Sequence, residues 1–363
     1  MAETQPELKP SEKERTEFKS SLLLTDEDVL KLGLDPEDVE LYRRFYYTKS
    51  YGISSWYDNL SEHTFKTNFL ELTYEEADAI IDRNDKIDNR QAILDTLEEK
   101  VAKELLKFPN GAFFKLNTRS PKDVPVYDAA NVQTQQLIDT EFKKIPKDKY
   151  NDNEEVWAFV KATNKALKVT KASEVMDLLL RSTRVREDLS RVLNFGKDLF
   201  EGSLIFREWL DVMIEYPEME FRAFVNDKKL NAMTQYFCFA RSQLLVDIKD
   251  KVEKAVLTFF DDIKDKLPHP SYVIDFFVNP ETLRVMVIEL NPFHIGAGTG
   301  LFTWREDRET FLNGPFQFRI TTEVPKDVKE IIPIKWAKWI KKTYHPEPEN
   351  SVEEEPERRC STM

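Results

Sequence analysis

Apolar residues recur along this chain with two spacings, and the change between them divides it. From residue 73, "TYEEADAIIDRND" and "IDNRQAILDTLEEKVAKELLKF" set Leu, Ile and Ala at three- and four-residue steps, predicting amphipathic helices to about Lys107. Pro109-Asn110-Gly111 stops the second helix, and "AFFKLN" follows as a short buried strand opening into the polar loop "TRSPKD". "ASEVMDLLLRS" and "VREDLSRVLNF" predict further helices. Upstream, "TDEDVLKLGLDPEDVELYRRFYY" predicts one or two short helices, and "TFKTNFLELT" alternates as a strand. Beyond residue 200 the runs become short, aromatic and β-branched: "GSLIFREWL", "MEFRAFV", "KLNAMTQYF", "SYVIDFF" and "RVMVIELNPF". One helix, "RSQLLVDIKDKVEKAVLTFFDDI", interrupts the series after the third. Strands with a packed helix in one region predict an α+β fold with a largely antiparallel sheet.

Residues 1–24, rich in Lys, Glu, Ser and Pro, predict a disordered charged tail, because they hold too little apolar surface to offset chain ordering. Residues 25–200 are then an N-terminal lobe, 201–320 a C-terminal lobe, and 321–363 a helix with an acidic, Pro-containing tail. In the last helix, "IIPIKWAKWIKK", Ile332, Trp336, Trp339 and Ile340 share a face, with Lys335, Lys338, Lys341 and Lys342 largely elsewhere. Such a helix either docks on the fold or offers that face to a partner or a membrane surface. Cys360-Ser361-Thr362-Met363 has the form of a prenylation box, which implies a reversible lipid anchor at Cys360.

With 363 residues, 41% of them hydrophobic, the chain can bury a sizeable core. Its net charge of −13 argues against broad phosphate-backbone contact, so nucleic acid is not an expected partner. Two cysteines far apart argue for a reducing compartment, and four scattered histidines show no zinc-ligand spacing. The N-terminal residues lack a signal-peptide core, and no apolar stretch approaches the ~18 residues of a transmembrane segment, so a cytoplasmic location is expected.

The candidate chemistry lies in charged residues set inside apolar strands. Glu289 and Asn291 alternate in "VIELNPF" and so share a strand face. Asp275 sits in the preceding run, "YVIDFFV", and a hairpin between the two would set it near Glu289 if the register allows. A carboxylate buried among Val, Ile and Phe demands a compensating cation. Magnesium suits two carboxylates and an amide oxygen; Arg207 or Arg222, each inside its own strand run, would serve as well through a salt bridge. Lys115, at the end of "AFFKLN", either reaches a phosphate or extends into water. No Walker-type glycine-rich loop occurs, and nine glycines leave no dinucleotide fingerprint.

Taken in order, "SSWYDNL", "FFKLNTRSPKD", "SLIFREW", "MEFRAFV", "YVIDFFV", "VIELNPF" and "GLFTW" resemble the cell division cycle protein 123 family over roughly residues 54–328. That resemblance implies an ATP-grasp fold in which two α+β lobes hold ATP between their sheets. It implies that Lys115 contacts phosphate, that Ser120 and Asp123 shape the adjoining loop, and that Arg207, Glu208 and Trp209 line an adenine-side hinge. Arg222 would meet the phosphates, and Asp275, Glu289 and Asn291 would hold Mg2+ between the β- and γ-phosphates. Family members act as assembly factors for eukaryotic translation initiation factor 2, gripping its gamma subunit. This chain is a divergent member: Glu208 replaces the hinge Lys, Thr118 a Trp, Tyr236 an Arg, Glu289 an Asp and Gly298 an acid. The nucleotide machinery is common to an assembly factor and to a ligase that forms an acyl phosphate, so enzymatic turnover stays open. Glu208 and Tyr236 favour a third alternative, a scaffold without nucleotide.

Overall fold

The computed structural model describes residues 36–81 and 89–345; the tail expected at 1–24 and the acidic segment with Cys360 lie outside them. Two sheets organise the described chain. Helices α1 (Pro36–Lys49) and α2 (Ile53–Leu60) lead into strand β1 (Thr67–Leu72), followed by α3 (Tyr74–Ile81), α4 (Arg90–Leu105) and β2 (Ala112–Leu116). Five helices come next: α5 (Asp123–Tyr127), α6 (Val132–Phe142), α7 (Asp152–Lys165), α8 (Ala172–Arg181) and α9 (Thr183–Leu193). Strand β3 (Gly202–Glu208) then returns between β1 and β2 to complete a three-stranded antiparallel sheet, order β1-β3-β2.

Strand β3 begins just past the lobe boundary expected at residue 201. "SLIFRE" belongs to the first sheet, because Leu204 and Phe206 bury with Phe114, Leu116 and the apolar stripes of α3, α4, α8 and α9. A run of this kind does not announce which sheet it joins.

The second sheet follows α10 (Asp211–Glu215). It comprises β4 (Glu220–Asn226), β5 (Lys229–Gln235), β6 (Tyr272–Val278), β7 (Val285–Pro292) and β8 (Gln317–Arg319), ordered β7-β6-β4-β5-β8. Every pairing is antiparallel except β5 with β8. The strand period of two sorts β4: Phe221, Ala223 and Val225 pack towards helix α11 (Gln243–Ile263), leaving Glu220, Arg222 and Phe224 on the opposite face. On α11, Leu245, Val252, Val256, Phe260 and Ile263 form the buried stripe, and the Ser242 hydroxyl accepts the Leu245 N–H at its start.

The two short elements after β7, helix α12 (Arg308–Asn313) and β8, close one end of this sheet, and α13 (Ile334–Tyr344) comes last. Trp336 and Ile340 of α13 are buried against α6 and α7, and the Trp336 indole donates to the Pro125 carbonyl at 3.2 Å. The docked arrangement of the two expected for this helix is therefore the one observed. Among the described residues no helix is long and apolar enough to cross a membrane.

Helix α7 was not anticipated, for a physical reason. Nine of its residues, from Asn153 to Thr163, are buried around most of its circumference, so "NEEVWAFVKATNK" shows no clean polar face. Its start is nonetheless marked, since the Asn151 side chain accepts the backbone N–H groups of Asn153 and Glu154.

Candidate functional site

The hairpin register sets Asp275 directly opposite Glu289, and Arg222 opposite Asp275 on its other side. Three charged residues thus lie abreast across β4, β6 and β7. Just beyond them the ladder slips: Asp275 pairs with Glu289 but Phe276 with Val287, leaving Ile288 as the extra residue of a bulge. Bulges of this kind re-aim the backbone beside functional sites. Here the freed Ile288 carbonyl accepts a 2.6 Å hydrogen bond from the Arg207 guanidinium.

Asp275 is fully buried, and both its oxygens accept from Arg222, at 2.8 and 2.7 Å. The guanidinium answer to the buried-carboxylate problem is therefore realised for Asp275. Burial pushes its carboxyl upward and Arg222 opposes that rise. Glu289 is answered from the other sheet: Lys115, itself only 6% exposed, donates to it at 2.8 Å. Burial would raise the Glu289 carboxyl, but Lys115 and Lys122 beside it hold it well below the usual range. Asn291 completes the row, its amide nitrogen 3.5 Å from the Glu289 carboxylate.

Lys115 and Glu289 therefore link β2 of the first sheet to β7 of the second, across a cleft lined also by Ser120, Lys122, Glu220 and Trp209. One wall is apolar, built by Phe65, Phe113, Leu167, Met213 and Ile288. At the charged end the Tyr236 ring sits 5.5 Å from the Lys122 ammonium and 5.0 Å from the Arg222 guanidinium. A tyrosine can thus stand where another cation would crowd these two, because its face is attractive to both.

Several expected site residues are engaged elsewhere. Among the described residues Arg207 forms no acid pair; its guanidinium donates to Ile288 and Thr64 and lies over the Phe65 ring at 4.4 Å, tying the two sheets together. Burial pushes its pKa down to about 10, so it stays charged at neutral pH. Glu208 lines the cleft, yet its carboxylate accepts the Lys66 N–H at 2.9 Å, which spends the reversed hinge charge on the β1 edge. Trp209 is buried beside it, its indole donating to Asp211. Asp123 does not line the cleft at all: it accepts from Ser182, Thr183 and Arg184, capping the N-terminus of α9. Ser120 is buried in the cleft wall, and its carbonyl accepts from Arg184.

Sequence reasoning passed over two cleft residues, Lys122 and Glu220. Glu220 had a signal, since it alternates with Arg222 on β4 and so had to share the charged face. Among the described residues no group of three or more His, Cys, Asp or Glu could hold a metal ion. The oxygen set here is smaller, two carboxylates and one amide, which fits a cation such as Mg2+ that keeps several ligands from water or phosphate.

Fold and site together define an α+β protein with a charged cleft between two sheets. The D123 family model matches residues 153–348, more than half of the chain, and the chain belongs to that family. It is 25% identical over 244 residues to the translation initiation factor eIF2 assembly protein of Dictyostelium discoideum, covering 66% of this chain and 53% of that protein. It is 30% identical over 158 residues to the protein of the same name from Schizosaccharomyces pombe, covering 40% of this chain and 46% of that one. The matches thus span about half the length of these curated relatives. Among solved structures, Cdc123 from Schizosaccharomyces pombe superposes with a TM-score of 0.52 over 80% of this chain and 99% of that one, at 22% identity, a likeness of fold.

Proposed function

We propose that the protein is a cytoplasmic, ATP- and magnesium-binding assembly factor for eukaryotic translation initiation factor 2, acting through its gamma subunit. The observation that carries the nucleotide part is the cleft itself: Lys115, Lys122 and Glu289 line it together with an apolar wall, and the Arg222–Asp275 pair adjoins Glu289 across the sheet. That combination suits a flat base at one end and a phosphate chain at the other, in the manner of an ATP-grasp protein. The names of the relatives from Dictyostelium discoideum and Schizosaccharomyces pombe support the assembly part.

Magnesium, when bound, would supply the positive charge that offsets the carboxylates and a phosphate chain. Asp275 and Glu289 would hold it, with Asn291 contributing its amide oxygen. Lys115 and Arg222, which neutralise those carboxylates here, would then be available to phosphate oxygens. The apolar wall with Trp209 excludes water from the base. Each carboxylate then keeps a cation in both states, which is what its burial requires.

The assembly role is tested by immobilising the full chain and offering it purified gamma subunit alone and the assembled three-subunit factor. Retention of the free subunit above the assembled factor is expected. Equal retention of both, or of neither, would contradict an assembly role.

A further inference from the structure

One carboxyl of the cleft has no use in the scheme above. Glu220 is 8% exposed, lines the cleft together with Lys122, and has no side-chain hydrogen-bond or ion-pair partner among the described residues. Only its backbone is engaged, through the Tyr236 N–H. Its neighbour on β4, Arg222, is committed to Asp275, and Lys115 of β2 to Glu289. Of the surrounding charges, Asp275 of β6 and Glu289 of β7 repel a carboxylate at Glu220, Arg222 attracts it, and Lys122 of the loop after β2 attracts it most. Lys122 is shared, since it also lies over the Tyr236 ring.

We propose that Glu220 couples occupancy of the cleft to protonation: as a phosphate chain enters and engages Lys122, the Glu220 carboxylate loses the cation that most offsets its burial and takes one proton from solvent. Binding of a phosphate-bearing ligand is then proton-linked. The proposal rests on the nucleotide reading of this cleft. The chemistry balances without a further reactant, because a carboxylate and one buffer proton become a carboxylic acid. Burial, only partly offset by Lys122, already raises the Glu220 carboxyl to about 7, so Glu220 is poised between the two forms at neutral pH. With the proton required in the bound state, affinity is highest below pH 6 and falls by about tenfold between pH 6 and pH 8.

Calorimetric titration of the full chain with MgATP, in two buffers of different ionisation enthalpy at pH 7, counts the protons directly. The expected result is uptake of about half a proton per nucleotide, abolished in Glu220→Gln, whose affinity is flat from pH 6 to pH 8. The nucleotide's own ionisation is common to both proteins and cancels in the comparison. Nucleotide binding without proton uptake, or uptake unchanged in Glu220→Gln, overturns the proposal and leaves the nucleotide reading standing. No heat of binding at any pH overturns both. If Glu220→Gln does not fold, the wild-type count decides, with a value near zero rejecting the proposal.

Discussion

Asp275→Ala is expected to lower the stability of the protein by about 3–5 kcal/mol in urea unfolding without nucleotide. The cause is what remains rather than what is removed. Arg222 is bound to both oxygens of a fully buried carboxylate, and without it the guanidinium keeps, among the described residues, the Gly298 carbonyl and the Tyr236 ring as contacts. An uncompensated buried charge costs far more than the pair gains over apolar packing. The double variant Arg222→Met, Asp275→Leu should therefore recover most of the loss. Should the single variant unfold within about 1 kcal/mol of wild type, the pair is solvated and the buried ion pair described here is not present in solution.

The second large effect is expected at the far end of the chain. Trp336→Ala should cost about 3–5 kcal/mol, because a fully buried indole leaves a cavity that its neighbours only partly fill. Phe159 and Trp339 lie edge-on to its ring, and its N–H reaches the Pro125 carbonyl, so α13 holds α5 and α7 in place. Hydrogen exchange read alongside unfolding should show residues 334–344 losing protection first. An unchanged midpoint would mean that this helix is not docked and that its Trp-bearing face serves a partner instead.

Both effects bear on what could be read from the chain. The five strand runs after residue 200 and the helix between them all formed, because their apolar, aromatic and β-branched residues supply one buried face or, in β5 and β6, nearly every position. Sheet membership was not legible: β3 reads like its successors, and only long-range pairing with β1 and β2 assigns it to the first sheet. In the site, the alternation of Glu289 with Asn291 and of Glu220 with Arg222 was visible, whereas the register bringing Asp275 abreast of Glu289 depends on a bulge at Ile288. Lys115 could be suspected from its place at a strand end, but its partner lies 174 residues away. Asp123 shows the converse: a charged residue in the right loop, taken by the helix start it caps.

The most direct measurement is the heat of titrating MgATP into the full chain at pH 7, compared with Lys115→Met. Lys115 links the two sheets across the cleft, and its loss leaves Glu289, about a quarter exposed, able to reach water, so the fold should survive while a phosphate ligand disappears. Micromolar binding weakened by about tenfold or more in the variant is expected, one charge-assisted contact contributing about 1.5–3 kcal/mol. Equal affinity in both proteins, or no binding by either, would show that the charged row between the sheets is a structural ion-pair network and not a nucleotide site.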